Sequence, residues 1–65
     1  MKCVYFVYYH GYDAYDCKVH GRCEIARDAM VVSIQGVAQM ECAIEDMTGR
    51  RGVMIHHYQL MRVED

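Results

Sequence analysis

SIQGVAQMECAIEDMTG, residues Ser33 to Gly49, is the only segment of this chain with helix punctuation at both ends. Ser33 suits the N-cap, because its hydroxyl can accept from the unsatisfied amides of the first turn. Val32 just before it and Val37 at the fourth helical position have the spacing of a hydrophobic staple. Gly36 stands where a capping box would place Glu, and costs roughly 1 kcal/mol of helix propensity relative to Ala. Val37, Met40, Ile44 and Met47 follow in steps of three and four. Ile34 extends this stripe and Ala43 flanks it, which predicts a helix with one buried side. Glu41, Glu45 and Asp46 fall off the centre of the stripe and read as a solvated flank. Gly49 fits the left-handed position that ends a helix.

Such a helix must lie on something, and its flanks read as strands. Met1 to Tyr9, MKCVYFVYY, is apolar or aromatic throughout from Cys3. Both alternate sets, Cys3-Tyr5-Val7-Tyr9 and Val4-Phe6-Tyr8, are apolar, so this strand is expected in the centre of a sheet, covered at least partly on both faces, although a single helix can cover only one of them. Arg22–Arg27 alternates with a period of two: Cys23 and Ile25 face one way, and Arg22, Glu24 and Ala26 the other. After an Arg50-Arg51-Gly52 turn, Val53–Arg62 forms the third strand. There Val53, Ile55 and His57 alternate with Met54, His56, Tyr58 and Leu60, and the tail 63–65 is expected to fray.

Between the first two strands, His10 to Gly21, HGYDAYDCKVHG, carries Gly11, Asp13, Asp16 and Gly21 and reads as a long loop. Long loops in compact domains often bind. The element order is strand, strand, helix, strand. A right-handed crossover places the third strand beside the first. The expected fold is therefore α+β, a single ββαβ domain over residues 1–65, with an antiparallel-type three-stranded sheet in the order 2-1-3 and the helix on one face.

The totals narrow the function. A chain of 65 residues buries only about 60% of the surface its unfolded form exposes. Its hydrophobic fraction of 54%, with six Tyr and six Met, disfavours disorder and leaves apolar surface for an interface. The net charge of -2 and the scattered basic residues argue against a general nucleic-acid binder. The N-terminal stretch is not patterned as a signal peptide, and no segment approaches the ~18 apolar residues of a membrane span. The four cysteines are accordingly expected to be reduced thiols in a cytoplasmic setting.

Four pieces carry a resemblance: Tyr5-Phe6-Val7 with Tyr8-Tyr9; Gly21-Arg22-Cys23-Glu24-Ile25; Ser33-Ile34 with Ile44 downstream; and Val53, Ile55 and Tyr58-Gln59-Leu60. Together they resemble a group of short, mostly uncharacterised phage and prophage accessory proteins. That resemblance implies a protein of the bacterial cytoplasm that acts by binding, blocking a host-defence enzyme or sequestering a small nucleotide-like signal.

Candidate sites are of two kinds. The first is an aromatic and basic binding surface of Tyr8, Tyr9, His10, Tyr12, Tyr15, Arg50, Arg51, His56 and Tyr58, fitted to a homo-oligomeric or host-protein contact. The second is a zinc site of His10, Cys17, His20 and Cys23, since Cys17-x-x-His20-x-x-Cys23 offers soft ligands close in sequence. On a regular strand His56 and His57 would point to opposite faces and share no metal without a bulge. No nucleophile stands beside a base, so no enzymatic activity is expected. A structural zinc domain and a weak single-stranded nucleic-acid binder are the alternative readings.

Overall fold

A computed structural model describes all 65 residues. The elements are β1 (Lys2–Tyr12), β2 (Lys18–Arg27), α1 (Ile34–Thr48) and β3 (Arg51–Glu64). The sheet order is β2-β1-β3, with both pairings antiparallel. This is the expected ββαβ arrangement, and the strand with two apolar sides is the central one.

The hairpin is much tighter than its composition suggests. β1 continues through Tyr12 and β2 starts at Lys18, so His10 pairs with His20 and Tyr12 with Lys18. Only residues 13–17 form the loop. The Asp13 carboxylate accepts from the amides of Tyr15 (2.8 Å) and Cys17 (2.9 Å), closing the turn on its own side chain. Asp16 takes the left-handed backbone conformation (φ 61) that Asp tolerates better than most residues. Gly11 and Gly21, expected as loop glycines, lie within strands. Gly21 is there for close approach: a Cβ at this position would stand 2.6 Å from Tyr9 Oη, so the bare backbone lets the Tyr9 ring lie across β2.

β3 is the irregular strand. The register against β1 shifts three times: between Val4 and Tyr5, between Tyr8 and Tyr9, and between His10 and Tyr12. Each shift inserts an extra residue on the β3 side, which is a β-bulge. β3 also reaches Glu64, opposite Lys2, so the expected fraying at 63–64 is replaced by strand pairing.

The helix ends behave as expected. Ser33 Oγ accepts from the Gly36 amide at 3.3 Å, and Gly49 (φ 72) donates its amide to Glu45 O at 2.9 Å. The staple does not form, because Val32 is 84% exposed. Val31 instead packs on the first turn, 3.1 Å from where a Gly36 Cβ would be, and its amide donates to Tyr5 Oη at 2.8 Å. Gly36 thus makes room for the incoming chain. The apolar stripe is also narrower than predicted. Met40 and Ile44 are fully buried, whereas Ile34 is 88% and Met47 61% exposed.

The reason lies in how the helix docks. Glu41 Oε2 accepts from the Ile55 amide at 2.8 Å, and Glu45 Oε2 accepts from the Val53 amide at 3.1 Å. These amides point away from β1, along the outer edge of β3. The flank expected to be solvated therefore fastens the middle of the helix to a sheet edge, and both helix ends project past the core. The core cluster is a single layer of Cys3, Tyr5, Val7, Tyr9, Ile25, Met40, Ile44 and Val53. Its burial, at roughly 1.5–3 kcal/mol per large apolar side chain, is the main stabilising term. All four cysteines are unpaired, and no helix is long and apolar enough to cross a membrane.

Candidate functional site

The helix covers one face of the sheet and leaves the other open. On β1 the open face carries Val4, Phe6, Tyr8, His10 and Tyr12, which alternate with the core residues. Their partners bring Lys18, His20, Arg22, Glu24 and Ala26 from β2, and Met54, His57, Gln59 and Arg62 from β3.

This face has two halves. Over Val4 and Phe6, Arg62 reaches across the sheet: its guanidinium donates to Glu24 Oε1 on β2 at 3.2 Å and to Glu64 Oε2 at 2.7 Å. Those two hydrogen bonds, Glu64 first, push its already high pKa further up. Val4 is consequently buried although it lies apart from the core cluster.

The other half is aromatic and imidazole-rich. His10 is only 8% exposed. Its Nδ1 is hydrogen-bonded to His56 Nε2, with ring centroids 4.6 Å apart, and its ring meets Tyr12 edge-on at 5.9 Å. His20 stacks on Tyr8 at 6.0 Å and shares a 3.2 Å hydrogen bond between Nδ1 and the Tyr8 hydroxyl. His56 lies 5.7 Å from Tyr8 and 6.2 Å from His20. Burial lowers the His10 pKa below its usual 6.5, and the positive charge of Lys18, His56 and His20 lowers it further.

The bulge between Tyr8 and Tyr9 makes the cluster possible. His56 is the extra residue, and His57 stands opposite Tyr8, so both histidines belong to the open face. His57 turns away to Gln59 Oε1 at 3.4 Å. The expectation that these neighbours diverge holds only for a regular strand.

The remaining predicted site residues separate. Tyr9 and Tyr58 face the helix: Tyr9 is core, and Tyr58 packs edge-on to Tyr5 at 5.9 Å. Their hydroxyl-bearing rings fill the helix-side layer and are unavailable to a partner on the open face. Tyr15 stands at the hairpin tip, 86% exposed. Arg50 is half-buried beside Gly11 on the helix side. Arg51 braces the hairpin, donating to Asp13 O at 3.2 Å and pairing with the Asp16 carboxylate.

The quartet His10, Cys17, His20 and Cys23 is not assembled. Cys23 lies opposite Val7 on the helix side, where burial raises its thiol pKa, while His10 and His20 are on the other face. Cys17 is exposed in the hairpin loop. A period-two strand puts His20 and Cys23, three residues apart, on opposite faces. The sequence did not flag His56 as a neighbour of this pair, because nothing local marks the bulge.

One cavity, about 370 Å3, lies away from this face, between the end of β2, the connection 28–33 and the first turns of α1. No protein-family model, curated protein or solved structure matches the chain, so the resemblance to small phage proteins rests on its residue pattern alone.

Proposed function

We propose that this chain is a non-enzymatic binding protein whose working surface is the open face of the sheet, centred on Tyr8, Tyr12, His20, Met54 and His56. The observation that carries the reading is the one-sided packing of the domain. A single helix covers the Tyr5–Tyr9 side, and the aromatic half of the opposite side has no covering element of this chain. Tyr8, Tyr12 and Met54 on that half are 37%, 37% and 56% exposed, which leaves apolar area for a protein contact. Tyrosine and methionine are favoured at such contacts. Both signs of charge occur on this face, in Lys18 and Arg22 against Glu24 and Glu64, so the partner need not be strongly charged.

A second copy of the chain is the first occupant of this reading. A bacterial host protein, as the phage resemblance suggests, is the next. The test is the mass of the purified protein by light scattering across a concentration series. Self-association is expected, lost in Tyr12→Glu and Met54→Glu and kept in Ile34→Glu, which alters apolar surface on the helix. A monomer at all concentrations would rule out the second copy. Association that Ile34→Glu abolishes and Tyr12→Glu spares would overturn the choice of face.

A further inference from the structure

His10, His20 and His56 come one from each strand and meet on the open face, with ring centroids separated by 4.6, 6.1 and 6.2 Å. We propose that these three histidines bind a first-row transition-metal ion of the imidazole-preferring kind, Zn2+, Ni2+ or Cu2+. The proposal rests on the ring geometry and not on the partner reading, with which it shares His20 and His56.

The donor set decides the class of ion. Imidazole nitrogen suits Zn, Ni and Cu, whereas Mg2+ and Ca2+ require oxygen ligands. Three protein ligands with a further position left to water is a recurrent arrangement for zinc. The spacing is also close to what an ion needs. With a metal–nitrogen bond of about 2.1 Å and tetrahedral angles, ring centroids should stand about 5 Å apart. The His10–His56 pair must open slightly, and His20 must approach by about 1 Å.

The scaffold favours those movements. His10 and His20 are direct cross-strand partners, so their Cα positions are fixed by the β1–β2 ladder. His10 Nδ1 and His56 Nε2 already face one another. In the structure no three ligating side chains are converged on one point. The His10 and His56 nitrogens must part to admit the ion, and the exposed His20 must release its hydrogen bond to Tyr8 and turn toward the other two. Of the charged and titratable groups around the cluster, Lys18, His20 and Arg22 come from β2, His56 and His57 from β3, and Tyr8 and Tyr12 from β1 itself. Lys18 and Arg22 are the groups that oppose a cation. Because the ligands must be deprotonated, binding is predicted to weaken as pH falls through the histidine range.

The experiment uses the full chain without a polyhistidine tag, titrated with Ni2+ and, separately, Zn2+. Calorimetry gives the stoichiometry, and the imidazole resonances in NMR give the ligands. The expected result is one ion per chain, with shifts confined to His10, His20 and His56, and binding that falls steeply between about pH 7.5 and about pH 5.5. His56→Ala and His20→Ala should each weaken binding by at least about tenfold, since losing even an outer-shell partner costs 10–100-fold. Neither change touches the core, so folding is preserved where His10→Ala would endanger it. His57→Ala, Cys17→Ser and Cys42→Ser should leave affinity unchanged. No saturable binding, or binding that survives His56→Ala and disappears in Cys17→Ser, overturns the proposal.

Discussion

Removing the carboxylates of Glu41 and Glu45 should loosen the helix from the sheet. Glu41 holds the Ile55 amide and Glu45 the Val53 amide, both on the outer edge of β3. A hydrogen bond to a charged group contributes about 1.5–3 kcal/mol when shielded. Both glutamates are half-exposed, and an edge amide released from its partner can turn to water. A loss of about 1 kcal/mol per site is therefore the reasonable figure, and about 2 kcal/mol for Glu41→Ala with Glu45→Ala. That is large for this chain, because domains carry only about 0.05–0.15 kcal/mol of stability per residue. At about 4–8 °C per kcal/mol, the double variant should melt roughly 8–16 °C lower. Thermal and urea unfolding followed by circular dichroism measure the loss. Amide exchange then locates it, since Val53 and Ile55 should lose protection before their neighbours. Glu41→Gln keeps an acceptor oxygen and should recover part of the loss, and Asp46→Ala is the neutral control. If the double variant melts with the parent chain and both amides stay protected, these carboxylates do not hold the helix on the sheet.

The same packing separates residues that look alike in sequence. Met40→Ala and Ile44→Ala should each cost about 2–5 kcal/mol in urea unfolding, whereas Ile34→Ala and Met47→Ala should stay within about 0.5 kcal/mol. Gly21→Ala should destabilise by displacing the Tyr9 ring, and the Tyr9 resonances should shift in NMR even though Gly21 is on a different strand. His10 makes stability pH-dependent. Its folded pKa lies below 6.5, so the unfolded chain binds more protons in that window, and stability falls as pH drops from about 6.5 toward the folded value. Replacing His10 with Gln should flatten unfolding midpoints there. Asp13, held below 3.8 by the Cys17 and Tyr15 amides, produces a separate loss at more acid pH, where Asp13→Asn flattens the curve instead.

What was legible in the sequence follows from how far each signal reaches. The caps at Ser33 and Gly49 are local, and both form. The two-sided apolar character of Cys3–Tyr9 is a property of one strand and correctly made it central. The alternation of Cys23 and Ile25 against Glu24 and Ala26 also held, because β2 pairs without a shift. β3 was misread because its phase is broken. A period of two grouped His56 with Tyr58 and Leu60, yet register places Tyr58 and Leu60 with Val7 and Tyr5 on the helix side and His56 on the other. Bulges are set by pairing across strands, and no residue within 53–62 announces them. The hairpin is tighter than its glycines suggest for a related reason. Gly11 and Gly21 signalled turns, but Gly21 answers a packing demand from Tyr9 that is invisible along the chain.

The bulge at His56 links the two halves of the molecule. On its helix side, Ile55 packs against the core and gives its amide to Glu41. On its open side, His56 meets His10 and Tyr8. Were both histidines paired in a regular ladder, positions 56 and 57 would alternate, and Ile55 and Tyr58 would fall on opposite faces. A regular strand would therefore have to give up either a core contact or the imidazole group. The bulge satisfies both, and β-bulges are known for re-aiming a side chain beside a functional site. Deleting either histidine removes the extra residue and restores a period of two, so Ile55 and Tyr58 should both stay on the core side with one imidazole opposite Tyr8. The Tyr5–Tyr58 pair should therefore stay packed, which its fluorescence and exchange behaviour report. If the deletion instead exposes Tyr58 or shifts the pairing beyond it, the bulge is not what absorbs the extra residue.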